Sequence, residues 1–310
     1  MKFTHLTVLV AALLSSGQSR PVVTPDPPHV CGECDAWNRP VEPFRIFGNT
    51  HYVGVDGLSA LLVTSPDGHV LLDGGLPQSA PIIDANIRVL GFRTEDIRLI
   101  VNSHAHFDHA GGIAALQRVS GATVAASASG ARAIEAGGPG PDDPQYGFGR
   151  AANAVPPVKS VKIVSDREVL RVGPLAITAH LTPGHTPGST TWTWQSCEGA
   201  RCVNVVYADS LNAVSAPQFR FTGSATSPSV EEQFRRSVTT VEQLPCDIVV
   251  AVHPSFTNLA GKRARQKKQP DVNPFIDATG CRVYAADARK RLEQRIADER
   301  SRAGPSGYNW

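Results

Sequence analysis

Apolar residues in this chain fall in short blocks, and the polar punctuation between the blocks predicts where elements begin and end. Residues 44–53 and 59–64 read as strands. A Pro66-Asp67-Gly68 turn follows, and 69–72 resumes as a strand that stops at Asp73-Gly74-Gly75. Over 80–90 the spacing changes to that of a helix, with Ile82, Ile83, Ile87 and Leu90 on one face. Residues 97–101 form a buried strand that runs directly into a histidine-rich turn. A helix at 113–119, a strand at 123–126 and a helix at 131–136 come next. Residues 137–157 are crowded with Gly and Pro and read as a long surface loop. Strands are predicted at 161–164, 168–172, 175–181, 190–195 and 203–207. They are followed by an amphipathic helix at 230–244, a strand at 247–252 and a charged helix at 281–300. Strands, helices, strands, helices is the order of an α/β chain with two sheets packed face to face and helices outside.

The N-terminus departs from this pattern. Lys2 precedes an apolar run at 6–14, and Ser15, Ser16, Gly17 and Ser19 follow. That is the layout of a secretory signal, and the run is too short to span a bilayer. The expected organisation is a signal peptide over 1–19, an extended Pro-rich arm over 20–43, and one domain over 44–310, with no membrane anchor in the mature form. Six cysteines in an exported chain suggest disulfides. Cys197 and Cys202 are close enough to close a small loop, Cys246 and Cys281 flank a long segment, and Cys31 and Cys34 suit a local bridge better than a redox pair. Apolar residues make up 41% of the 310, enough for a core, and the net charge of +2 gives no global pull toward nucleic acid or anionic membrane. The basic run at 262–268 has no interleaved aromatics and reads as a solvated surface loop.

The stretch His104-Ala105-His106-Phe107-Asp108-His109 changes the picture from architecture to chemistry. In extended backbone, residues two apart face the same way, so His104 and His106 can reach one metal. Asp108 and His109, past a turn, can reach a second, and Gly111 and Gly112 let the chain bend before the next helix. His185 lies in the Pro-Gly-His-Thr-Pro-Gly turn at 183–188, and His253 ends the strand at 247–252. Three imidazoles (His104, His106, His185) and an Asp/His/His set (Asp108, His109, His253) each leave an open position. Nitrogen and oxygen donors with an open position favour catalytic zinc. His5, His29, His51, His69 and His180 receive no role, and His180 alternates on a strand as a structural or exposed side chain would.

HAHFDH is an HxHxDH motif, and the chain resembles the metallo-β-lactamase superfamily. LDGG at 72–75, HAHFDHAGG at 104–112, PGHTPG at 183–188, YADS at 207–210 and VHP at 252–254 occur in that family's order, and the resemblance spans roughly 44–300. It implies an αββα sandwich with a dinuclear zinc site in the cleft at the edges of the two sheets. Within the superfamily the chain is similar to class B, subclass 3 metallo-β-lactamases. His109 follows Asp108, Ser210 stands where the first subclass carries a cysteine ligand, and 190–213 resembles exported enzymes of the subclass. The resemblance implies Cys246–Cys281 and Cys197–Cys202 disulfides. It places Asp209 outside the metal set as a supporting group. Asp73 reads either as a group that orients backbone or metal ligands or as a plain strand-end turn aspartate.

The implied activity is hydrolysis of the β-lactam amide of penicillins, cephalosporins and carbapenems by a metal-activated hydroxide that Asp108 orients, conferring antibiotic resistance in the periplasm. Ser210, Asn212 and Gln145 are the substrate-contact candidates, Asn212 replacing the hydroxyl residue more usual in the family. The expected partner is a small-molecule β-lactam, with no nucleic acid, and the expected state is a monomer. A lactonase or a glyoxalase II-like thioesterase of the same superfamily is the alternative; most of those are cytosolic and need neither signal nor disulfides.

Overall fold

The computed structural model describes residues 21–301 other than 226. The apolar run and small residues of the expected signal peptide lie outside the described residues. The arm is not extended throughout: it contains a short helix, α1 (Cys34–Trp37), and buries Val23 and Cys34. A Cys31–Cys34 disulfide closes the turn leading into α1.

The block at 44–53 is a hairpin and not one strand. β1 (Phe44–Phe47) and β2 (Thr50–Tyr52) pair antiparallel about Gly48, whose φ of +50° suits glycine. β3 (Leu61–Val63) and β4 (His69–Leu72) extend the sheet antiparallel. Helix α2 (Ala80–Val89) then carries the chain to β5 (Ile97–Val101), parallel to β4. After it come α3 (Phe107–Ala110), α4 (Ile113–Ser120), β6 (Thr123–Ser127), α5 (Ala128–Ala136) and β7 (Val161–Val164). Strands β1 to β7 form one seven-stranded sheet in sequence order. The second sheet has five strands in the order β12-β11-β10-β9-β8. They are β8 (Val169–Val172), β9 (Leu175–Leu181), β10 (Thr190–Glu198), β11 (Arg201–Ala208) and, after helix α6 (Glu231–Gln243), β12 (Ile248–Ala251). Helices α7 (Leu259–Lys268) and α8 (Gly280–Ser301) complete the chain.

Strand alternation dictates the layering. Leu61 and Val63 join Trp192, Trp194, Val205 and Tyr207 in the core between the sheets, whereas Leu62 points outward to α2, α4 and α5 through Ile83, Ile87, Leu116 and Ile134. On the far side Val206, Val249 and Ala251 face Phe234 and Val238 of α6 and Ala288 and Leu292 of α8. Both faces of both sheets are thus covered, giving an αββα sandwich. Each fully buried large apolar side chain contributes about 1.5–3 kcal/mol relative to exposure.

Two expected loops are structured. The basic run at 262–268 lies in α7, with Lys262 buried against the fold. Its charges surround the helix, so no apolar stripe announces it. The segment 137–157 is not a plain surface loop either. It holds 3₁₀ turns at Tyr146–Phe148 and Ala151–Asn153 and buries Asp143, Gln145 and Asn153. Cys197 and Cys202, directly opposite at the end of the β10–β11 hairpin, are bridged, and Cys246–Cys281 ties the approach to β12 to the start of α8.

Candidate metal centre

β5 delivers its C-terminal end to a platform organised by Asp73. This carboxylate, at the end of β4, accepts hydrogen bonds from Asn102 Nδ2 (3.0 Å), the Ser103 amide (2.7 Å), Ser103 Oγ (2.6 Å) and Tyr207 OH (2.8 Å). Its partners are the backbone and side chains beneath the histidines, and burial pushes its carboxyl up to about 6. The Gly74 amide donates to His109 O (2.8 Å), and the Gly112 amide to Gly75 O (3.1 Å). Gly112 has an ordinary φ of −86°, so its role is not freedom to bend. A Cβ there would lie 2.2 Å from Gly74 O, so the two glycine segments touch only because neither carries a side chain.

His104 and His106 sit in extended backbone, and His106 caps α3, whose first turn carries Asp108 and His109. The Thr190 amide donates to Ser103 O (2.8 Å), drawing the 183–190 turn and His185 across from the second sheet. The Ser59 amide donates to Val252 O (2.8 Å), which holds the end of β12 and His253 in place. One donor atom from each of His104, His106 and His185 lies within 4.8 Å of the others, and the same holds for His104, Asp108 and His109. His253 joins the second group through Asp108: Asp108 Oδ2 is 3.1 Å from His109 Nε2 and 3.4 Å from His253 Nε2. The six side chains singled out in the sequence therefore converge, with His104 reaching toward both groups.

On three of the histidines the ring nitrogen turned away from this cluster is engaged. His104 Nδ1 meets Asp209 Oδ1 (2.6 Å), His185 Nδ1 meets Asn212 O (2.8 Å) and His253 Nδ1 meets Gly57 O (3.1 Å). Each contact fixes a tautomer that leaves Nε2 as the lone-pair nitrogen. His104 Nε2 is buried without a hydrogen-bond partner, and the buried His109 ring has only the Asp108 carboxylate facing its Nε2. An unsatisfied buried polar atom costs about 1–3 kcal/mol. A bound cation removes that cost, so these residues fit a metal, and the nitrogen-rich donor set fits zinc.

A family profile described as the metallo-beta-lactamase superfamily matches residues 53–198. The fold superposes on MEM-A1, a subclass B3 metallo-β-lactamase isolated from a soil metagenome library. The TM-score is 0.82 and the identity 49%, over 86% of this chain and 99% of that one. The chain belongs to the subclass B3 metallo-β-lactamases. Rm3 metallo-β-lactamase is similar at 51% identity and TM-score 0.84, covering 87% of this chain and 99% of that one. SMB-1, solved bound to 2-mercaptoethanesulfonate, matches at 45% identity and TM-score 0.80, covering 85% and 99%. A hydroxyacylglutathione hydrolase from Anaeromyxobacter dehalogenans (strain 2CP-C) is 33% identical over 150 residues, 48% of this chain. The match spans about half, 46%, of that relative's length.

Sequence reasoning missed one buried acid of this B3 metallo-β-lactamase. His106 is the exception among the histidines: its Nε2 is the engaged nitrogen, 3.1 and 3.2 Å from the two oxygens of Asp143. Burial alone would depress the His106 imidazole, but Asp143 outweighs it and raises its pKa. Burial likewise works to raise Asp108, and the His109 and His253 imidazoles overcome it, holding the carboxylate well below its usual range. Two arm residues also border the metallo-β-lactamase site without a sequence signal. The His29 ring stacks on Phe107 at 3.8 Å, and Trp37 lies 5.3 Å from His253.

Of the substrate-contact candidates, Ser210 is buried, and Asn212 is half-buried with its carbonyl spent on His185. Gln145 is buried, with its amide on Asp143 Oδ1 (2.8 Å) and its carbonyl on Asn153 Nδ2 (2.9 Å).

Proposed function

We propose that this hydrolase cleaves the amide bond of β-lactam antibiotics with two zinc ions. His104, His106 and His185 would hold one, and Asp108, His109 and His253 the other. The observation that carries the reading is the convergence of these six side chains from three separated turns, with the buried His104 Nε2 at their centre lacking a hydrogen-bond partner. Bound zinc supplies Lewis acidity and brings the pKa of a water toward ~7.

The protein's own groups do the rest. Asp108, buried between His109 and His253, stays ionised and accepts a hydrogen bond from the attacking water at its carboxylate, aiming it at the lactam carbonyl. Asp209, Asn212 O and Gly57 O hold three imidazoles in one tautomer each. The Ser210 hydroxyl and the Asn212 amide offer donors for the substrate carboxylate, and Gln145, on the 137–157 segment, is the third candidate contact. The N-terminal pattern supports export to the periplasm, where such an enzyme confers resistance as a monomer, and the disulfides suit that compartment. No helix among the described residues is long and apolar enough to cross a membrane.

The partial likeness to a hydroxyacylglutathione hydrolase favours one second reading, thioester hydrolysis. A panel of a penicillin, a cephalosporin, a carbapenem and a glutathione thioester on the zinc-loaded protein separates the two. The expected outcome is β-lactam cleavage that a chelator abolishes and zinc restores. Activity in metal-free protein, or turnover of the thioester alone, overturns it.

A further inference from the structure

We propose that Asp143 is a positioning residue that couples metal binding at the three-histidine site to the ordering of the segment around Gln145. This rests on the metal-site reading above. Asp143 is buried and addresses two parts of the molecule at once. Both of its oxygens contact His106 Nε2, and Oδ1 also accepts the Gln145 amide.

The segment has few other ties. Asp143 N bonds Gly140 O (3.0 Å) and Tyr146 N bonds Asp143 O (3.1 Å) within the segment itself. Ala216 N reaches Pro144 O (2.9 Å), and Asn153 Nδ2 caps the carbonyls of Gln145 (2.9 Å) and Gly149 (3.0 Å). Its regular structure is a pair of 3₁₀ turns, and among the described residues the Asp143 carboxylate is its one charged link to the histidine cluster.

The coupling follows from the chemistry of the ring. With Nε2–H donated to Asp143, Nδ1 is the lone-pair nitrogen left for a cation. A cation there withdraws electron density and makes Nε2–H a stronger donor, which tightens the contact with Asp143. Asp143 in turn fixes the Gln145 amide. Linkage makes the effect reciprocal: a well-held segment must raise metal affinity by the factor by which metal steadies the segment.

The test uses the full chain and zinc alone. Zinc is titrated against a chromophoric chelator in wild type, Asp143→Asn, Asp143→Glu and, as a control, the exposed neighbour Asp142→Asn. Amide exchange at Gln145 is followed in wild type with and without zinc. Both Asp143 oxygens face His106 Nε2–H, so Asp143→Asn sets a donor against it and should weaken zinc binding by about 10–100-fold; Asp143→Glu should recover part of the loss, and Asp142→Asn should match wild type. Zinc should slow Gln145 exchange about tenfold or more in wild type. Zinc affinity within about twofold of wild type in folded Asp143→Asn overturns the proposal. Should that variant fail to fold, unchanged Gln145 exchange on adding zinc to wild type overturns it equally. None of these readouts involves a β-lactam, so they stand apart from the substrate assignment. A wild-type protein that binds no zinc overturns the metal-site reading as well.

Discussion

The carboxylate of Asp209 lies 2.6 Å from Nδ1 of His104, and both residues are fully buried. The contact commits the proton of this imidazole to Nδ1 and turns Nε2, otherwise without a partner, toward the other histidines. Asp209→Ala should therefore lower zinc affinity by about 10–100-fold, with a smaller loss in Asp209→Asn, whose amide oxygen can still accept. Competition with a chromophoric chelator measures both; equal losses would show that the acceptor is not what matters.

His185 and His180 stand on the same stretch of chain with different surroundings. His185 belongs to the three-imidazole group, whereas His180 Nε2 bonds Thr193 Oγ1 (2.9 Å) on the second sheet. His185→Ala should reduce β-lactam turnover by about a hundredfold or more, and His180→Ala by less than about twofold. Steady-state rates at saturating zinc decide it, and similar losses would sink the ligand assignment.

The disulfides should rank by the length of chain they close. Cys246–Cys281 spans 35 residues and Cys197–Cys202 spans 5. Chain-entropy reasoning gives about 4 kcal/mol for the first and about 2 kcal/mol for the second. Double Cys→Ser variants compared by urea unfolding should show the larger loss for the 246/281 pair.

His51, buried on β2 with its ring 5.0 Å from Phe92, is held neutral. Burial first, then the charges of Arg45 and His69, push its pKa down to about 4 from the usual 6.5. The unfolded chain therefore takes up a proton that the native state refuses. Stability is complete above about pH 6.5, falls as the pH drops toward about 4, and loses nothing further below that from this residue. Urea midpoints at about pH 7.5 and about pH 4.5 should differ less in His51→Gln than in wild type. An unchanged difference would show that other groups carry the acid sensitivity.

The histidine motif was legible because its chemistry is local: His104, His106, Asp108 and His109 need only backbone spacing and one turn to be read. His185 was legible from its Pro-Gly-His-Thr-Pro-Gly turn, and His253 as the end of an apolar strand. Asp143 was not, since its partner is 37 residues away and it sits in a Gly- and Pro-rich stretch without periodicity. The available signal was an acid two residues before Gln145. The β1–β2 hairpin was hidden in one apolar block, although Gly48-Asn49 is itself a turn dipeptide. α7 escaped because its charged residues leave no apolar stripe. Gly112 meets Gly74 at a strand end 38 residues earlier, a contact that HAGG alone cannot show.

The histidine-bearing turns are mounted on both halves of the sandwich. His104 to His109 continue from β5 of the seven-stranded sheet, while His185 and His253 follow β9 and β12 of the five-stranded one. Whatever cation they grip becomes a rivet through two slabs that otherwise adhere largely by greasy contact. On the zinc assignment proposed above, melting temperature should rise with free zinc in the surroundings, and a host short of that element should make an enzyme that is both idle and easier to degrade.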